Sequence, residues 1–173
     1  MAPGVRKLAL TLHVMASVGW LGAVAAFLAL AVAGLTGRNP QTVSAAYVAM
    51  GLTGSWILVP LSFASLLSGL VQALGTPWGL FRHYWVVVKL AINLLATFLL
   101  LLHLRPISYM ADLAAGTDVL GADLYPLRLQ LAVTAGAALI ALVTATALSV
   151  YKPKGLTPYG WRKQKERRAA ISL

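Results

Sequence analysis

Polar and apolar positions along the chain sort into four long apolar runs separated by short polar connections. The first runs from about Leu8 to Leu35, with no charge between Lys7 and Arg38. The second runs from about Val43 to Leu74 and is long enough to tilt, with Pro60 predicted to kink it. The third covers about Tyr84 to Leu104 and carries one charge, Lys89; the fourth, about Leu129 to Val150, carries none. Each reaches the length of about 20 residues that an apolar helix needs to cross a bilayer. None shows the period-two alternation of a membrane barrel strand. The pattern predicts an all-α fold, a polytopic membrane four-helix bundle over residues 1–151 followed by a tail over residues 152–173. Ala31-Val32-Ala33 is similar to a signal-peptidase site, but signal peptides have apolar cores of about 7–15 residues, so the first run reads as a retained helix.

Composition supports the same class. Of the 173 residues 60% are hydrophobic and 10% charged, against about 45–50% and about 25% in soluble domains. Mean hydropathy is +0.81. Too few polar residues remain to cover a water-soluble globule, and disordered chains are poor in apolar residues, so both classes are excluded. With no cysteine there is no disulfide scaffold, thiolate metal site or cysteine nucleophile.

The net charge of +10 changes the picture through its placement. Arg6 and Lys7, Arg82 and Lys89, and seven residues from Lys152 to Arg168 put eleven of the 14 basic residues on one side of the spans. The other side holds Arg38, Arg105 and Arg128, with Asp112, Asp118 and Asp123. By the positive-inside rule both termini face the cytoplasm, N-in/C-in. Seven basic residues and one acid, Glu166, follow the last span directly. Pro153, Gly155, Pro158 and Gly160 predict an extended strap, with Tyr159 and Trp161 among headgroups and anionic lipid, not nucleic acid, as its partner. Gly37 to Pro40 and Gly75 to Gly79 read as turns. The longer outer connection, Arg105 to Pro126, holds a short helix over Ile107 to Ala115.

At about 100° per residue, Trp85, Lys89, Asn93, Ala96, Leu100 and His103 share one stripe of the third helix. Gly51, Ser55, Leu58, Ser62, Ser65, Gly69 and Gln72 make a small, polar stripe on the second. His13, Ser17, Trp20 and Val24 share a face of the first, and the fourth is small almost all round. Small and hydroxylated residues let membrane helices approach and hydrogen-bond, which also suits a homodimer. Lys89 and His13 stand apart because both lie about 7–8 Å inside the basic ends of their helices. Lys89 either snorkels to headgroups or meets an anionic group. His13 either bonds a nearby hydroxyl or ligates a metal. His83 reads as an interfacial residue, or as a second imidazole near His13. His103, Met110 and the outer aspartates lack any metal-ligand spacing. With no carboxylate in any span, a carboxylate proton relay is not available, and catalysis would fall to imidazole, amine, phenol or a cofactor.

The segment Leu12-His13-Val14-Met15-Ala16-Ser17-Val18-Gly19-Trp20-Leu21-Gly22 resembles the first helix of copper-resistance protein D and of HemJ-type protoporphyrinogen oxidases. Tyr84-Trp85-Val86-Val87-Val88-Lys89-Leu90 is similar to the HemJ third-helix pattern. Nearly the whole chain, including the ending Ser149 to Gly160, resembles a family of actinobacterial four-helix integral membrane proteins that brings no activity with it. The HemJ resemblance implies haem b, with His13 as iron ligand and Lys89 near propionates or substrate carboxylates. The HemJ arginine and second histidine near the end of the first helix are replaced here by Phe27-Leu28-Ala29-Leu30-Ala31-Val32. The expectation is therefore a haem-b-binding membrane protein with a redox or electron-transfer role. His13 binds iron, Lys89 neutralises a propionate, Trp20, Trp85 and Asn93 line the pocket, and His83 lies beside it. The alternatives are a cofactor-free scaffold or assembly module, and a copper or small-solute permease. The last is poorly served by four methionines and no cysteine.

Overall fold

The computed structural model describes residues 2–75, 79–116, 122–153 and 155–171. Its elements are α1 (Pro3–Thr36), α2 (Pro40–Thr53), a π-helical segment (Gly54–Leu58), α3 (Val59–Gly75), α4 (Tyr84–Gly116), a 3-10 turn (Ala122–Leu124), α5 (Tyr125–Tyr151) and α6 (Pro158–Ile171). Four helices are long and apolar enough to cross a membrane: Pro3–Thr36, Pro40–Gly75, Tyr84–Gly116 and Tyr125–Tyr151. They form an all-α bundle in which α1 packs on α2, α3 and α5, while α4 packs on α2, α3 and α5. Large apolar side chains such as Leu8, Met15, Trp56 and Ile140 point outward along the whole bundle. Lipid tails match them, so their exposure carries no hydrophobic penalty.

The core is concentrated toward the α1–α2 turn. Trp20, Val24, Phe27 and Ala31 of α1 meet Tyr47 and Met50 of α2, Ile107, Met110 and Ala114 of α4, and Leu131, Ala135 and Leu142 of α5. The turn itself forms as its residues dictate. Asn39 Oδ1 accepts hydrogen bonds from the Gln41 and Thr42 amides at 2.9 and 3.3 Å, and Pro40 takes the first helical position, where no amide is needed.

Three expectations are corrected. First, Pro60 acts through a π turn: the Val59 amide bonds back to Gly54 O, five residues earlier. Pro60 lacks an N–H and its ring crowds the carbonyl four residues back, at Trp56, so the helix widens there. The extra residue changes the phase of the second span. Ser55 leaves the predicted stripe and is exposed, while Gly54 is buried. Second, the short helix over Ile107 to Ala115 is not separate, because α4 continues through Pro106 to Gly116. Ile107, Met110 and Ala114 bury one face there, and the Ser44 hydroxyl donates to the Ala114 carbonyl, one of the last-turn carbonyls of α4 that have no partner within the helix.

Third, the tail is a strap only as far as Thr157. Lys152 ends α5 in the left-handed region, at φ 42°. His83 and Leu156 then form an isolated antiparallel bridge. The Thr157 amide donates to Arg82 O at 3.0 Å and the Tyr84 amide to Gly155 O at 3.4 Å. Helix resumes at Pro158 because proline suits a first position and the Thr157 hydroxyl accepts the Gly160 amide at 3.1 Å. The expected turn at Gly75 to Gly79, the outer connection around Asp118, and Lys154 fall wholly or partly outside the described residues.

Candidate functional site

The interhelical side-chain hydrogen bonds of the spans, among the described residues, gather at two levels, one near the tail and one near the α1–α2 turn. At the tail end, α1 and α3 run antiparallel with their small polar faces together. Ser17 Oγ lies 2.9 Å from Ser65 Oγ, and one turn nearer the tail His13 Nδ1 lies 3.0 Å from Ser68 Oγ. The Ser68 hydroxyl also sits 2.5 Å from the carbonyl of Ala64. A hydroxyl has one hydrogen to give, and the carbonyl can only accept, so Ser68 donates to Ala64 and accepts from His13. His13 therefore carries a proton on Nδ1, and in its neutral form this is the only ring proton. Its Nε2 keeps a lone pair, the orientation found in metal-ligating histidines held by a second hydrogen bond.

Close approach at this point depends on Gly69. A Cβ there would stand 3.1 Å from His13 Cε1 and 3.9 Å from Nε2. One turn further along α3, Gln72 Nε2 is buried without a hydrogen-bond partner among the described residues. Such a group costs about 1–3 kcal/mol unless something completes it.

Lys89 enters this region from α4. It is half-buried, its Nζ lies 5.7 Å from the centroid of the Trp85 ring, and it is close enough to His13 and to Lys152 for their charges to interact. The only ion pair among the described residues is Lys163 with Glu166, so Lys89 has the Trp85 ring in place of a carboxylate. Cation–π attraction offsets part of the cost of the ammonium, and an anion would offset more.

Of the residues expected from sequence, His13, Lys89 and Trp85 are thus brought to one level. Asn93 is half-buried one turn deeper along the Lys89 stripe. Trp20 is not in this group: it is buried in the apolar core beside Val24 and Phe27. His83 lies outside the bundle, with its backbone in the bridge to Leu156 and its ring 6.3 Å, centroid to centroid, from that of Trp85. His103 Nδ1 bonds the Leu99 carbonyl of its own helix at 2.8 Å, while Met110 is fully buried, so these two form no common site. No group of three or more His, Cys, Asp or Glu able to hold a metal ion occurs among the described residues.

The second level is built on Arg128, which sequence reasoning placed with the outer-side charges. It is 5% exposed. Its Nε donates to Tyr47 Oη at 3.1 Å, and its Nη2 donates to the carbonyls of Gly34 and of Leu35, the latter at 3.2 Å. Those carbonyls belong to the last turn of α1, where the helix dipole presents negative charge. The signal for this role lay in position: Arg128 stands in the first turn of α5, the wrong end of its own helix for a cation. Gly34 makes the clasp possible, since a Cβ there would come within 2.6 Å of Tyr47 Cζ.

Comparison with protein-family models, with curated proteins and with solved structures finds no match. The resemblances noted from sequence therefore identify no family, and the chain stands as a four-helix protein with four candidate membrane spans.

Proposed function

We propose that the chain is a haem-b-binding integral membrane protein with a redox or electron-transfer role, its site at the tail end of the bundle. The observation that carries this reading is the His13–Ser68–Ala64 relay, which fixes the imidazole with its Nε2 lone pair unspent. The residues present fit the group in two respects. His13 would offer a ring nitrogen to the iron, and Lys89 would offer a cation that no carboxylate among the described residues pairs. Haem iron supplies the one-electron chemistry when bound. The chain's own part is to orient the imidazole, to balance a propionate with Lys89 and to exclude water with the apolar faces around them. Porphyrinogen oxidation is not part of the proposal, given Phe27 to Val32 in the place of the HemJ arginine and histidine. The distribution of basic residues supports an N-in/C-in orientation with the site on the cytoplasmic side, and the resemblance to actinobacterial four-helix membrane proteins implies a bacterial cytoplasmic (inner) membrane.

The test is an absorption spectrum of protein purified after haem-replete expression. A Soret band is expected, lost in His13→Ala and weakened in Lys89→Gln. A preparation that stays colourless after haemin titration would overturn the proposal. A second reading has its own support. Because His13 and Ser17 are both bonded across the α1–α3 interface, a cofactor-free assembly module needs no ligand there. A colourless, stable oligomer that tolerates His13→Ala and Lys89→Ala would favour that module.

A further inference from the structure

We propose that α6 binds an anionic lipid surface, held at the membrane face by the pairing of residues 155–157 with residues 81–84. Among the described residues α6 packs on none of the other helices and meets the rest of the chain at Arg82, where Gly160 lies against the backbone, and its sequence offers no apolar face to bury. A short helix that is polar all round gains little from the rest of its own chain, so a partner outside the chain is needed to hold it. Its sequence carries five basic residues, Arg162, Lys163, Lys165, Arg167 and Arg168, and one acid. That acid, Glu166, is already paired with Lys163 at 2.9 Å. Tyr159 and Trp161 are exposed at the start of the helix, the residue types that settle among headgroups.

Position decides which anion is met. Only six residues separate the end of α5 at Tyr151 from the start of α6 at Pro158, a reach of at most about 25 Å. The strap uses that reach to run back to the start of α4. The Thr157 hydroxyl donates to Phe81 O at 2.5 Å, and the Thr157 amide to Arg82 O at 3.0 Å. Both ends of this attachment belong to membrane-span termini, so α6 stays at headgroup level and meets lipid phosphates before any solute. Phosphate headgroups attract a polybasic helix by long-range electrostatics, without apolar insertion, and salt weakens the attraction.

The full chain has no cysteine, so Gln164→Cys on the exposed side of α6 accepts one environment-sensitive label. The labelled protein is reconstituted in nanodiscs of phosphatidylcholine, with or without phosphatidylglycerol, and quenching by nitroxide-headgroup lipid is read. The ratio of bound to free α6 is expected to rise roughly tenfold or more with phosphatidylglycerol. It should fall back in 1 M salt, where the Debye length is about 3 Å. Replacing Arg162, Lys163, Lys165 and Arg168 by glutamine should remove the difference while the spans stay intact. Equal quenching in both discs, or quenching indifferent to salt, overturns the proposal. Displacement of α6 from phosphatidylglycerol discs by an added oligonucleotide would also overturn it and assign the helix to nucleic acid. None of these outcomes bears on the Soret test, so the two proposals fail separately.

Discussion

The two ends of the bundle both bring polar side chains into an apolar setting, and they treat them in opposite ways. At the α1–α2 end, Arg128 is buried with Tyr47 and the last carbonyls of α1 around it, inside a close-packed core. At the tail end, His13 and Lys89 are only half-buried and Gln72 Nε2 has no partner among the described residues. A polar group whose bonding is completed by its own chain serves architecture. A polar group left with capacity to spare marks where something else can bind. On this contrast the Arg128 end is the clasp of the fold, and the His13 end is where the proposed site lies.

Substitutions can break or sharpen the contrast. The largest loss is expected from Arg128→Met, which strands three acceptors in an apolar core. We expect about 3–5 kcal/mol in unfolding followed in mixed micelles. A cost below about 1 kcal/mol would show that Arg128 is no clasp. Gly34→Ala should come next, at about 1–3 kcal/mol, because the new methyl collides with the Tyr47 ring. The same change in a Tyr47→Ala background should cost much less, a coupling that a double-mutant cycle reads directly. His13→Ala removes a single interhelical bond and should cost about 1 kcal/mol or less, while removing the Soret band entirely. If it unfolds the bundle as severely as Arg128→Met does, the two ends are alike and the contrast fails. The smallest expected effect is that of Glu166→Gln. The exposed pair with Lys163 adds little to stability, so unfolding should not change, yet one more net charge on α6 should tighten anionic-lipid binding a few-fold.

The four helices were legible because run length alone decides whether a segment spans a bilayer, and length survives any error in phase. Facing residues were less legible because phase is what packing uses. His13 and Ser17 fell on one face of α1, but which hydroxyls they would meet depends on the π turn before Pro60. Sequence could place a kink there, and not the inserted residue that turns Ser55 out. The clasp of Arg128 was not legible because its partners are carbonyls of another helix, which side-chain pattern does not display. Trp20 was drawn into the site by sharing a face with His13. Two turns along a helix, however, separate a half-buried level from a sealed one.

The π turn also makes the chain unequally tolerant of two kinds of genetic change. Ser55 is exposed and bonds no other helix among the described residues, so almost any uncharged side chain other than proline should be accepted there. Deleting it is another matter. The second span would close as uninterrupted α-helix, and everything after it would rotate by about 100° relative to α2. Ser65, Ser68 and Gly69 would leave α1 together, while α2 kept its grip on Arg128 through Tyr47. A position silent to substitution would thus be severe to a single-codon loss, and the damage would appear at His13, far along the chain from the missing residue.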